Sequence, residues 1–203
     1  NDLPSIGNFG PTADNPFLEG GSPVILDADV TFSDPELDIL NDYDGAMITI
    51  QRTGGLNTDD VFGFNDNGPY ALNAGNIEES SVPIASFDNV AGTLVVEFDF
   101  AADPDITDVN TILRNITYSN TNGTPPANVS IDFRPNDGTG TGTFGVTSVD
   151  IYNNDADIID NSTLSATLDY ASHTGATVTS ANGLKVGEIS IRDSGAGADT
   201  DGV

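Results

Sequence analysis

The chain has no cysteine and no tryptophan, a single histidine, and only five lysines and arginines among 203 residues. Without cysteine, neither disulfides nor thiolate metal sites can staple the fold. The lone His173 sits in the turn-like "ASHTGA". It has no second imidazole to share a metal and no nucleophile motif beside it, so it reads as an exposed loop residue. Two carboxylates can in principle cleave a glycoside, but sugar clefts usually present tryptophan, and the expectation is that the chain is not an enzyme. No run reaches the roughly 18 apolar residues of a membrane span, and no basic segment followed by an apolar one opens the chain. The scarcity of basic side chains against 32 acidic ones leaves a net charge of −27. Most nucleic-acid roles are thereby excluded, and an anionic membrane surface would repel the chain, since both are bound by basic groups.

What is present is short apolar runs in period two. In "GTLVVEFDF", Leu94, Val96, Phe98 and Phe100 fall on one face and Thr93, Glu97 and Asp99 on the other, the pattern of a half-buried strand. In "NVSIDFRP", Val129, Ile131 and Phe133 point inward and Ser130, Asp132 and Arg134 outward. Further strands are expected in "PVILDADVTF", "AMITIQR", "DVFGF", "FGVTSVDIY", "TLSATLDY" and "LKVGEISIR", separated by turns such as "TGGLNTDD", "NDNGP" and "NDGTGTG". One helix is expected, in "DPDITDVNTILRNITY". There Val109, Ile112, Leu113 and Ile116 share a face, Thr107 or Asp108 caps the first turn, and the helix leads into a strand at "ITY". Many short strands with Gly, Pro and Asn turns predict an all-β, Greek-key β-sandwich, with a closed barrel as the less favoured all-β alternative. It occupies residues 1–154, and residues 155–203 are the start of a second, partial β module or a C-terminal extension. Beginning with Asn and ending in "ADTDGV", the chain reads as a mature or excised piece of something longer.

The acids are unevenly spread. Between Glu19 and Asp44 they crowd into "LEGG", "LDADVTFSDPELD" and "NDYDG". Asp27 and Asp29, two apart on an expected strand, point to one face. Asp34, Glu36 and Asp38 have the same spacing, with Pro35 making a turn an equal alternative. Like charges at that spacing repel unless a cation lies between them. Calcium takes roughly six to eight oxygens from carboxylates, amides, backbone and water, which this composition supplies, and Ca²⁺ is the expected bound ion; the competing reading of any one pair is a solvated acidic surface.

The segment "IYNNDAD" resembles the linker of cadherin-type domains, and "NDLP" at the start resembles the tail of such a linker. From residue 22 to residue 142, "SPVILDADVTFSDPELD", "GAMITIQRTGG", "DVFGF", "GTLVVEF", "ILRNITYSN", "TPPANVSIDF" and "NDGTGTG" are similar, in order, to the cadherin-like repeats of very large bacterial surface and RTX-type adhesins. The resemblance implies an Ig-like sandwich that binds calcium and serves as an extracellular structural or adhesive repeat at the cell surface. Its implied partners are neighbouring repeats, further copies of itself, and a surface glycan or cell-surface ligand. As metal ligands it implies Glu19, Asp27, Asp29, Asp34, Asp38 and Asp137, with Asn153, Asn154 and Asp155 in the linker; Glu36 joins them by its spacing. The chain departs from the family in its length, above the roughly 100 residues of a standard sandwich repeat, and in lacking the "DxNDN" spelling. "GAGADTDGV" resembles the RTX calcium-binding nonapeptide but occurs once, where a β-helix needs stacked copies; it reads as an acidic loop. The alternatives are a subunit of a self-assembling surface layer or filament, and a carbohydrate-binding module. The latter needs an aromatic platform, and Tyr43, Tyr70, Tyr118, Tyr152 and Tyr170 are dispersed.

Overall fold

Leu94, Val96 and Phe98 are buried and Thr93, Val95 and Glu97 only partly so, so the alternation read in the sequence survives as a strand with one face in the core. The computed structural model describes residues 1–10, 16–98 and 103–152. Phe100, the linker residues Asn153, Asn154 and Asp155, the boundary at 154/155, the two C-terminal strand candidates and His173 lie outside them. The described strands are β1 (Ser5–Gly7), β2 (Phe17–Leu18), β3 (Val24–Ile25), β4 (Thr31–Ser33), β5 (Ala46–Arg52), β6 (Asp60–Phe64), β7 (Tyr70–Asn73), β8 (Asn76–Glu79), β9 (Val82–Val90), β10 (Thr93–Phe98), β11 (Ile116–Asn120), β12 (Asn128–Asn136) and β13 (Gly145–Tyr152). Two helices, α1 (Pro35–Leu40) and α2 (Ile106–Leu113), interrupt them.

The fold is all-β with the character of a β-sandwich. One sheet has the order β2-β13-β12-β5-β10-β9-β8-β7, a second has β3-β11-β6, and β1 and β4 form a two-stranded sheet. A single core is built from the inward residues of the first sheet, such as Ile48, Ile50, Leu94, Ile131 and Phe133, together with Phe62 and Tyr118 of the second. Phe17 meets Tyr118 edge-on at 6.0 Å and Phe32 meets Tyr43 at 5.4 Å, arrangements favoured by the ring quadrupoles. No helix among the described residues is long and apolar enough to cross a membrane.

Several expectations are corrected. "PVILDADVTF" is not one strand: β3 ends at Ile25, β4 begins at Thr31, and Asp27 and Asp29 lie on the bend between. They do not share a face, since Asp27 is buried and Asp29 exposed. In "SDPELD" Ser33 ends β4 and the rest starts α1, with Asp34 as N-cap and Pro35 in the first turn, where its fixed φ and missing N–H are tolerated. In α2, Val109, Ile112 and Leu113 are buried as expected, but the cap is Asp105, in a reciprocal capping box with Asp108, and Ile116 already belongs to β11. Asp132 is buried rather than outward, beneath Thr53 and Arg134, which both donate to its carboxylate.

The largest feature absent from the sequence reading is the run β7–β8–β9. Its two-residue turns, Ala74-Gly75 and Ser80-Ser81, and the Ala91-Gly92 turn that follows β9, have φ positive at both positions. Hairpins of this kind are ordinarily signalled by Asn-Gly or Asp-Gly. A register shift at Ile77/Glu78 further breaks the alternation of β8.

Candidate functional site

Two points near the start of the chain lie parallel to the segment that carries β13, the last strand among the described residues. Ser5 forms a parallel bridge to Thr143, and Phe17 and Leu18 pair in parallel with Ile151 and Tyr152. The chain therefore enters beside the turn before β13 and leaves at the far end of that strand. At about 3.3 Å per residue, the nine steps from Thr143 to Tyr152 set entry and exit roughly 30 Å apart.

The entry end gathers four of the expected ligands. Asp34 is fully buried. Its Oδ1 accepts from the backbone N–H groups of Glu36 and Leu37 at 3.0 and 2.9 Å, the usual work of an N-cap carboxylate, while its Oδ2 is buried with no donor. Glu36 Oε1 accepts from the Asp2 backbone N–H at 2.9 Å and lies 3.6 Å from the Asn1 ammonium; Glu36 Oε2 is likewise buried without a donor. Asp38 is exposed and accepts from the Tyr43 hydroxyl and, at 3.2 Å, from Ser33 Oγ. Burial, then the adjoining Asp38 and Asp34 carboxylates, push the Tyr43 phenol well above its ordinary value.

Asp137 lies in the "NDGTGTG" turn. Its Oδ1 accepts from Thr139 N–H, Thr139 Oγ1 and Gly140 N–H at 2.7, 2.8 and 2.7 Å, and its Oδ2 accepts from Asn1 Nδ2 at 2.8 Å. Burial alone would raise this carboxyl, but these donors outweigh it and hold Asp137 down at about 2. Asp137 is therefore satisfied within the chain. Asp34 and Glu36 each keep one oxygen that is not.

An ionised carboxylate oxygen removed from water without a donor is costly, and a hard cation is the partner that suits it. Asp34 Oδ2 belongs to a fully buried residue and fits such an ion, whereas Glu36 Oε2 is an enclosed atom of a side chain that is 41% exposed. Among the described residues no three His, Asp or Glu side chains converge on one point, so an ion here would need its other ligands from backbone carbonyls, amide side chains or water.

The remaining expected ligands lie elsewhere. Asp27 Oδ1 accepts from Asp29 N–H at 3.1 Å and Oδ2 from Gly10 N–H at 3.2 Å. Burial, reinforced by the Asp29 carboxylate, raises Asp27 to about 6. Glu19 is at the exit end, where its N–H donates to the Tyr152 carbonyl at 2.9 Å. There it borders an open cleft with Asn120, Thr121 and Asn122.

Sequence reasoning missed Asn1, Tyr43 and Thr139 as neighbours of the acids. It also missed an interior cluster around Asp60. Asp60 Oδ2 accepts from Arg52 Nε at 2.8 Å, and Oδ1 accepts from Arg52 Nη2, the Tyr118 hydroxyl and Asn120 Nδ2 at 2.6, 2.7 and 2.9 Å. The available signal was scarcity: with five basic residues in the chain, a strand arginine such as Arg52 or Arg134 points to a buried carboxylate, although Arg114 serves the Val30 carbonyl instead. Of the described tyrosines only Tyr152 is exposed, so they form no surface platform. No protein-family model matches the sequence, and no curated protein matches it.

Proposed function

We propose that the chain is a calcium-stabilised extracellular module, a structural or adhesive repeat of a large bacterial surface protein, with a cadherin-like Greek-key sandwich as its unit. The observation that carries this reading is that the chain enters at one end, beside two buried carboxylate oxygens without donors, and leaves at the opposite end. A module threaded in this way joins end to end with others. A divalent cation at the entry compensates charge that the chain's few basic residues leave unpaired. Calcium suits the oxygens of Asp34 and Glu36 better than magnesium, which demands a tight octahedral shell and gives up its waters reluctantly.

Thermal unfolding of the full chain in calcium, in magnesium and in chelator tests the reading. A ligand bound only by the folded state at about 100 times its Kd adds about 2.7 kcal/mol, which for a chain of this size raises Tm by roughly 5–10 °C. Magnesium gives a smaller rise. Superimposed curves in calcium and chelator would sink the calcium reading.

A further inference from the structure

Two Asn-Gly pairs lie among the described residues, Asn67-Gly68 and Asn122-Gly123, and the fold treats their side chains differently. Asn122 is tied at both atoms of its amide: Nδ2 donates to Asp59 Oδ2 at 3.1 Å, and Oδ1 accepts from Thr124 N–H at 3.0 Å. Asn67 is held only by its backbone, whose N–H and carbonyl exchange hydrogen bonds with Tyr70 at 3.0 and 3.1 Å across the Gly68-Pro69 turn. Among the described residues neither the Asn67 side-chain amide nor the Gly68 N–H has a partner. Both residues are exposed, and a Cβ placed on Gly68 would meet nothing within 4 Å.

We propose that Asn67-Gly68 is a site of spontaneous modification, at which the folded chain converts Asn67 to aspartate and isoaspartate while Asn122 is protected. The Gly68 nitrogen, unhindered because glycine has no Cβ, gives up its proton and bonds to Asn67 Cγ. The Cγ–Nδ2 bond breaks, ammonia leaves with that proton, and a five-membered imide remains. Water then opens the ring. Breaking the new bond restores the backbone with an aspartate, whereas breaking the original peptide bond routes the chain through Cβ and Cγ and lengthens it by one carbon. The attack needs Cγ turned onto the next nitrogen in a near-attack geometry. Asn67 reaches it by side-chain rotation alone, and Asn122 only by giving up both of its hydrogen bonds. The consequence is local. The added carbon falls between the paired groups of Asn67 and Tyr70, next to Asp66, whose Oδ1 accepts from Leu72 N–H at 2.9 Å. It therefore loosens β7, the outermost strand of the eight-stranded sheet. The reaction needs neither calcium nor a neighbouring module.

Incubation of the full chain in mildly alkaline buffer, folded and in urea, tests this when samples taken over time are mapped by tandem mass spectrometry. The folded chain should gain acid at Asn67 at least several-fold faster than at Asn122, in calcium and in chelator alike. Urea should bring the two rates together, chiefly by raising that of Asn122. Asp59→Ala, which removes the acceptor of Asn122 Nδ2, should speed Asn122 in the folded chain and leave Asn67 unchanged. Amide hydrogen exchange at Tyr70 and Leu72 should rise in the aged chain while that of the β12–β13 pair stays constant. Equal rates at the two asparagines in the folded chain, or a faster Asn122, would overturn the proposal. A difference that survives in urea would do so as well, since it would then belong to the local sequence and not to the fold.

Discussion

Asp34 and Asp60 are both buried carboxylates in strand-rich surroundings, and they are solved in opposite ways. Asp60 receives the fork of Arg52, a tyrosine hydroxyl and an asparagine amide, so both oxygens are satisfied from within the chain. Asp34 spends one oxygen capping α1 and keeps the other, like one oxygen of Glu36, without a donor. The interior site is closed, and the entry site is open to something the chain does not supply. In a protein with 32 acidic and five basic side chains, internal pairing can serve only a few carboxylates, and their locations separate structural acids from candidate ligands.

Removing the closed site should have the largest effect. Asp60→Ala leaves the Arg52 guanidinium, the Tyr118 hydroxyl and the Asn120 amide without their acceptor, and breaking a buried pair from one side typically costs about 3–5 kcal/mol. Urea denaturation should show that loss equally in calcium and in chelator; a loss that appeared only in calcium would make Asp60 part of the cation response and erase the contrast.

The open site should behave in the reverse manner. Asparagine caps a helix as well as aspartate does, so Asp34→Asn should change stability in chelator by less than about 1 kcal/mol, because it keeps the cap while removing an unpaired charge. The rise of Tm with calcium should shrink by most of its size. Asp34→Ala should lose about 1 kcal/mol of capping in either condition as well. An undiminished calcium response in both variants would show that Asp34 binds no ion.

The smallest effects distinguish Asp137 from Asp27 by pH. Asp137 is held below its ordinary value, so its contribution is present above about 3.8 and is lost as pH falls towards about 2. Asp27 is raised, so its contribution is present below about 3.8 and is lost as pH rises through about 6. In chelator, Asp27→Asn should flatten the decline between about pH 4 and 6, and Asp137→Asn the acid limb between about 4 and 2. Stability measured by denaturant titration across that range checks both, and a decline between pH 4 and 6 that persists in Asp27→Asn would assign it to another group.

The strands that alternate cleanly were legible because burial of every second residue is a local property of an extended backbone; "AMITIQR" became β5 and "DVFGF" became β6 with no change of bounds. The hairpins around β8 were not legible, because Ala-Gly and Ser-Ser do not announce the left-handed turns they adopt. The acids were legible as a class and not as individuals. Asp27 and Asp29 look alike in the sequence, yet one is buried and the other exposed, since the bend that separates them is imposed by where β3 and β4 find partners.

By itself the sequence determined an all-β chain without disulfides, a large excess of carboxylates, and the helix start at Asp105 to Asp108 to within two or three residues, because periodicity, charge and capping act over a few neighbouring residues. Only the tertiary structure decided which carboxylates are answered and which are not. Asn1 reaches Asp137 across 136 positions and Tyr118 reaches Asp60 across 58, and such donors exist only once the strands are paired. The placement of entry and exit at opposite ends has the same origin: the direction of β13 relative to the start of the chain is set by hydrogen bonds between segments more than 130 residues apart, which no local pattern encodes.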